Sequence, residues 1–251
     1  MCRGSVLFVL LCLTASLGAQ EVLPIGSPRA ITSPGSYHLV ADIDFDVTRE
    51  WAINITASGV TLDLNGHQIK GPGGRQGIGV RVAGATGVRI HNGRIADTAF
   101  GIVVENSQNV TLTDLEIRGQ GLAVTSPPPE TAIMIVQSRA VVVERNNLYN
   151  TPLGVFVRGS RSWGNRISDN TITSGTNGVF GICYNPAPGD PNGPRGDLVT
   201  NNLISGFSTG IQVTASASNV FRENTIVFRT AAFESMGAMD LDMDNIKVQL
   251  R

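Results

Sequence analysis

From residue 52 onward the chain repeats with a base period of 22 residues, counted on two markers. The first is the small residue that opens each small–apolar–x–apolar segment: Ala52, Gly79, Gly101, Ala132, Gly154, Gly178, Gly210 and Ala232, at steps of 27, 22, 31, 22, 24, 32 and 22. The second is the apolar residue that closes a later segment: Ile69, Ile95, Ile117, Leu148, Ile172, Ile204, Ile226 and Val248, at steps of 26, 22, 31, 24, 32, 22 and 22. Both series share the short step and place their insertions in the same units. A fixed period held over eight units is the signature of a stacked repeat architecture.

Each unit reads as short strands. Apolar residues stand one and three positions after the small residue, as in Ile53/Ile55, Val80/Val82, Ile102/Val104, Ile133/Ile135, Val155/Val157 and Ile211/Val213; the Gly178 unit departs, with Gly181 at the third position. Five residues before the closing marker the chain is apolar again: Leu64, Ile90, Leu112, Val143, Ile167, Val199, Phe221 and Met243. Alternation with period two buries one face of a strand, whereas a helix needs apolar spacing of three to four. A unit of this size cannot bury its own inner face, but stacked units can, at about 4.8 Å per rung. The expected fold is therefore all-β: a single-stranded right-handed parallel β-helix, a solenoid of about eight rungs over 49–251. Residues 20–48 are expected as an N-terminal segment and cap, with 1–19 a signal peptide.

One inward position is polar. Two residues before the closing marker stand Asn146, Asn170, Asn202 and Asn224. A buried amide without partners costs about 1–3 kcal/mol, so these are expected to stack into an internal asparagine ladder. His67, Gly93 and Leu115 precede them at that position and Ile246 follows, which would confine the ladder to the middle of the rod.

The N-terminus carries Arg3, an apolar stretch over Val6–Leu13 and small residues Ser16, Gly18 and Ala19, as a secretory signal peptide does; export to the periplasm or beyond follows. Removing it leaves one cysteine, Cys183, so no disulfide scaffold can form; a small buried residue is the ordinary reading. With 19 Lys+Arg against 20 Asp+Glu there is no basic footprint for nucleic acid. After the signal no apolar run is long enough to span a membrane.

The phrase Val60-Thr-Leu-Asp-Leu-Asn-Gly-His-Gln-Ile69, the Asn-x-Ile turns and the Gly-Ile-x-Val rungs resemble the pectin-lyase-like right-handed parallel β-helix superfamily, over about residues 31–250. Asn65-Gly66-His67 is similar to the first coil of uncharacterised exported β-helix proteins, including periplasmic NosD-type proteins linked to copper enzyme maturation. The resemblance implies the fold. For function it implies a range, since polysaccharide lyases, polysaccharide hydrolases, phage tailspikes and non-catalytic surface proteins share this architecture.

Chemistry must then use outward positions or the longer loops, Gly71–Gln76, Arg118–Glu130 and Tyr184–Arg195. The first two leave the rod at one corner and could form a wall. Outward residues of the second strand include Arg89, His91, Glu144 and Arg166, the residue types a lyase needs to take an α-proton and hold a sugar carboxylate. A cross-strand ion pair between Glu144 and Arg166 explains two of them without catalysis. The carboxylate pair of a hydrolase is not apparent: Asp114 and Asp169 stand two rungs apart with Arg145 between. Outward residues of the first strand, Val103, Met134, Phe156 and Phe180, make an apolar stripe that is either a partner or glycan surface or is covered by the N-terminal segment or a loop.

No cofactor is expected, with one reservation for calcium: Gly189-Asp190-Pro191-Asn192-Gly193, with Asp197 nearby, offers oxygen ligands without the spacing of a ligand loop. Met236, Met239 and Met243 suggest copper only through the NosD likeness, because the register places Met243 in the core. The last rung leaves an open sheet edge that could pair with a second molecule. Three functions follow. The first is an exported β-helix protein that binds glycan or an envelope component without a defined catalytic signature. The second is a lyase on an acidic polymer, and the third an accessory in periplasmic metal handling.

Overall fold

The protein is described by a computed structural model covering residues 21–122, 130–236 and 239–250. The expected signal peptide, 1–19, lies outside them. Every strand pairing within them is parallel, each strand bonding its counterpart one turn on, so the chain winds as a right-handed β-helix of about nine turns. Val80, Ile102, Ile133, Val155, Ile182 and Ile211 stack in one column. A second column runs Leu62, Ile90, Leu112, Val143, Ile167, Val199 and Phe221, and a third Ile69, Ile95, Ile117, Leu148, Ile172, Ile204 and Ile226, and the strands carrying the three columns make the first, second and third sheets of the coil. Nearly every one of these side chains is fully buried, and each contributes about 1.5–3 kcal/mol by leaving water.

Close approach explains the small marker residue. A β-carbon added to Gly79, Gly101, Gly154, Gly181 or Gly210 would lie 2.5, 2.6, 2.4, 2.3 or 2.2 Å from the Cγ2 of Ile95, Ile117, Ile172, Ile204 or Ile226 respectively. The opening residue of each rung thus sits against the side chain that closes it. At the second corner a single left-handed residue turns the chain: Asn92, Asp114, Arg145, Asp169 and Asn201 have φ of 62°, 57°, 55°, 58° and 55°. Asn and Asp tolerate that region better than most residues.

Four features differ from the sequence expectation. Within the segment expected as N-terminal segment and cap, 20–48, Arg29–Ile31, Gly35–Leu39 and Ile43–Asp44 pair with the next turn and add a rung ahead of the first one read from the repeat. In the rung of residues 51–70 the second column is filled by Leu62, not Leu64, because the turn through Asn65 and Gly66 is longer than in the following rung. The ladder breaks register between Thr173 and Gly178, so Val155 faces Ile182 and Gly181 replaces Gly178 as the marker. Phe180 therefore pairs with Leu153, and the place assigned to it in the outer stripe belongs to Cys183. In the last rung Ile226 faces Lys247 and Phe221 faces Asp242, one residue off the apolar pattern. Met243 is consequently exposed instead of inward. Lys247 pairs with Asp242 and lies 4.9 Å from the Phe233 ring centroid, so an ion pair tops the bore where an apolar residue was expected.

Asn146, Asn170, Asn202 and Asn224 lie buried in one column. From Asn170 onward each Oδ1 accepts both the backbone N–H and the Nδ2 of the asparagine one rung earlier, at 2.9–3.0 Å, while Asn146 Oδ1 at the start of the column accepts from Leu115 N at 3.0 Å. Each Nδ2 also donates to a backbone carbonyl, such as Val143 for Asn170. The column ends at Asn245, which accepts from Asn224 at 2.8 Å, so it reaches the last rung. A second column, Asn165, Asp197, Asn219 and Asp240, uses the same geometry with carboxylates alternating in it. A third is made of serines: Ser107 Oγ accepts from Ala85 N, Ser138 Oγ from Ser107 N, and Ser162 Oγ from Ser138 N.

Candidate functional site

The second sheet's outer face brings together only part of the predicted set. Glu144 and Arg166 meet, with Arg166 Nη1 2.8 Å from Glu144 Oε1, while Arg145 Nη1 takes the other oxygen at 2.7 Å. Arg145 also grips Asp114 through Nε and Nη2, at 2.9 and 3.0 Å, and holds that carboxyl below the usual range. Arg89 and His91 lie two rungs away, about 10 Å, beyond Thr111 and Thr113. His91 Nδ1 faces Asp63 Oδ1 at 3.8 Å instead. The four residues do not converge on one point, and both oxygens of Glu144 are occupied.

The apolar stripe on the first sheet is shorter than expected. Val103, Met134 and Phe156 are in register, Val103 buried and the other two half-buried. The column then reaches Cys183, whose buried thiol bonds Gln212 Oε1 at 2.8 Å and is pushed up to about 12 by burial. Phe180 stands one column over, half-buried. The loops after rungs 51–70 and 100–118 do meet: Gly74 N donates to Gln120 Oε1 at 2.8 Å. Gln120 is tied by its N and Nε2 to the buried Glu130, at 2.8 and 3.1 Å. Pro127-Pro128-Pro129 lies outside the described residues. Asp190 and Asp197 are separated, since Asp190 accepts from Ser160 and Asn192 at the surface whereas Asp197 lies in the interior column.

An open groove occurs elsewhere, at the corner between the first and second sheets. Its volume is about 530 Å³, and Asn106, Gln108, Gln137, Arg139, Arg161 and Trp163 form much of its lining. Two left-handed turns bracket each rung here, at Asn106 and Asn109 and again at Gln137 and Ala140. The chain between them bends so sharply that Ser107, Ser138 and Ser162 point into the bore. Gln108, Arg139 and Trp163, paired across successive rungs, sit on the outside. Trp163 is 44% exposed, and the Arg139 guanidinium carbon lies 5.5 Å from its ring centroid. The signal was present in the sequence as three phrases on the repeat period, Asn106-Ser-Gln, Gln137-Ser-Arg and Arg161-Ser-Trp.

The family model described as periplasmic copper-binding protein (NosD) matches residues 53–240. The chain belongs to the NosD family. NosD is described as periplasmic, and no helix among the described residues is long and apolar enough to cross a membrane. The copper in that description finds no obvious seat. Among the described residues no cluster of three or more His, Cys, Asp or Glu side chains is arranged to hold a metal ion. Cys183 is spent on Gln212, Met236 packs against the core, and Met239 and Met243 are exposed. These residues do not fit a copper centre.

No curated protein matches this chain. Among solved structures it is similar to an alginate lyase from Paenibacillus sp. str. FPU-7, with TM-score 0.65 and 14% identity over 87% of this chain and 94% of that one. It is also similar to a hyperthermoactive exopolygalacturonase from Thermotoga maritima (0.56, 13%, covering 86% of this chain and 55% of that one). A third is PfbA, a surface adhesin of Streptococcus pneumoniae (0.52, 12%, covering 86% and 59%). At these identities the likeness is one of fold.

Proposed function

We propose that this NosD-family protein is a periplasmic glycan-binding β-helix protein that holds its ligand without cleaving it. The corner groove carries this reading. An exposed indole offers a flat face for the apolar side of a pyranose ring, and Asn106, Gln108 and Gln137 offer donors and acceptors for its hydroxyls. Its volume falls in the range of small-ligand sites. Lyases and hydrolases need a base or a carboxylate pair at the scissile bond. Neither an imidazole nor a carboxylate is among the groove's lining residues, and Glu144 on the second sheet is committed to two arginines. That the fold also serves an alginate lyase and an exopolygalacturonase agrees with a glycan ligand.

A panel of neutral and acidic polysaccharides, scored for both binding and cleavage, tests the reading. Binding to at least one polymer, lost in Trp163→Ala and without chain shortening, is expected. Release of unsaturated uronate products, followed by ultraviolet absorbance, would make the protein a lyase and overturn it.

A further inference from the structure

We infer that the groove reads a carboxylate: Arg139 and Arg161 form a fork for the acidic group of a uronate-type sugar, and Trp163 holds Arg139 in place for it. This deepens the glycan-binding reading and rests on it. Several arginines elsewhere on the rod are matched to acids, Arg81 with Glu105, Arg118 with Asp97, Arg145 with Asp114 and Glu144, and Arg166 with Glu144, while others such as Arg89 and Arg195 are not; what sets Arg139 and Arg161 apart is that both line one groove. Arg139 and Arg161 are exposed and line the groove, yet neither has a carboxylate partner among the described residues. Two cations with no acid beside them are poised for an anion from outside.

The support beneath them is shaped for that task. Stacking over an indole fixes the plane of a guanidinium while leaving its N–H groups free at the edge, and that edge matches the two oxygens of a carboxylate. Arg161 is placed by its own backbone N–H, which donates to Gln137 Oε1 at 2.9 Å. Gln137 in turn lies flat against Gly159, where a β-carbon would come within 2.6 Å of its Nε2 and where φ is +88°. Side chains along the corner grow in size from Thr86 through Gln108 and Arg139 to Trp163, one per rung. Successive rungs are about 4.8 Å apart, close to the length of one pyranose residue. A polymer lying along the rod therefore meets an amide, a cation and an aromatic face in turn.

The test is calorimetric titration of the purified protein with an oligouronate, the same oligosaccharide after reduction of its carboxyls to alcohols, and a sulfated dextran. The oligouronate is expected to bind at least about tenfold tighter than its reduced form. Arg139→Gln/Arg161→Gln should erase that preference while keeping the weaker binding and the melting temperature. Arg139→Lys/Arg161→Lys keeps the charge but not the fork, and should recover only part of it. Arg145→Gln, on the other face, should leave both affinities unchanged. Equal affinity for the oligouronate and its reduced form would overturn the carboxylate assignment and leave glycan binding standing. A sulfated dextran bound as tightly as the uronate would also overturn it. Failure of every glycan to bind would bring down the parent reading as well.

Discussion

The outer face of the second sheet and the corner groove are built alike and end up with opposite properties. On both, each rung places side chains directly above those of the rung before, so neighbours along the rod are fixed by register. On the second sheet those neighbours alternate in sign: Asp63 faces His91, Asp114 is gripped by Arg145, and Glu144 is held by Arg166. At the corner the sequence of neighbours is Gln108, Arg139, Trp163, Arg195, with no acid in it. The first arrangement pairs these charges with one another and closes around them. The second leaves hydrogen-bond donors and an aromatic face turned to solvent. In a solenoid, then, the order of residue types along a column decides whether that column becomes internal reinforcement or a binding surface.

Both faces depend on the interior columns that keep rungs in register, so the largest effect should come from there. Asn170→Leu removes the acceptor used by Asn146 N and Nδ2, each at 3.0 Å, and the donor to Val143 O at 2.9 Å. Two or three buried polar groups are stranded, for a loss of about 3–5 kcal/mol of stability. A drop of many degrees in melting temperature is expected by calorimetry. An unchanged curve would mean that apolar packing alone sets the register, and the contrast between the two faces would lose its common footing.

Asp197→Asn should have a smaller effect that depends on pH. Burial raises the Asp197 carboxyl from 3.8 to about 7 although Asn165 donates to it. Between those values the folded chain keeps a proton that the unfolded chain has released, so stability falls as pH rises from about 4 to about 7 and is level beyond. The change is on the order of a few kcal/mol. Asparagine carries no charge and supplies an Nδ2 donor, like Asn146 and Asn170 in the neighbouring column. The variant should therefore be more stable than the parent at pH 8 and nearly equal to it at pH 4.5, by chemical denaturation. Glu130, also raised by burial, leaves a residual slope. A parent whose stability does not fall with pH would show that Asp197 is not buried in its ionised form.

The coil was legible because apolar period and small markers recur in every rung, and each has one physical cause: a side chain turned inward, or a Cβ that would strike the closing isoleucine. Register failed where those two signals weakened. After Thr173 the extra turn residues shift the pairing, and Gly178 resembles a marker that Gly181 in fact supplies. In the last rung the apolar residues Met243 and Val248 suggested one alignment, but Asn245 bonding to Asn224 set another. The column through Asn165 and Asp197 follows the rule that revealed Asn146, two residues before an inward apolar residue, applied to the other strand. Trp163 was missed because single outward residues carry no periodicity. Only the recurrence of a serine between two outward polar residues marks that corner.

The smallest expected effect separates the two faces most directly. Glu144→Gln removes the charge that Arg145 and Arg166 share, at 2.7 and 2.8 Å, from a side chain that is only 18% exposed. Gln still accepts a hydrogen bond through its amide oxygen, and Arg145 keeps its bidentate hold on Asp114. Exposed ion pairs contribute about 0.2–1 kcal/mol, so a melting temperature lower by a few degrees at most is expected. Glycan affinity should be unchanged, because Glu144 is not among the residues lining the groove. A sharp loss of binding or of any cleavage in this variant would place the ligand on the second sheet and assign the open site to the face read here as closed.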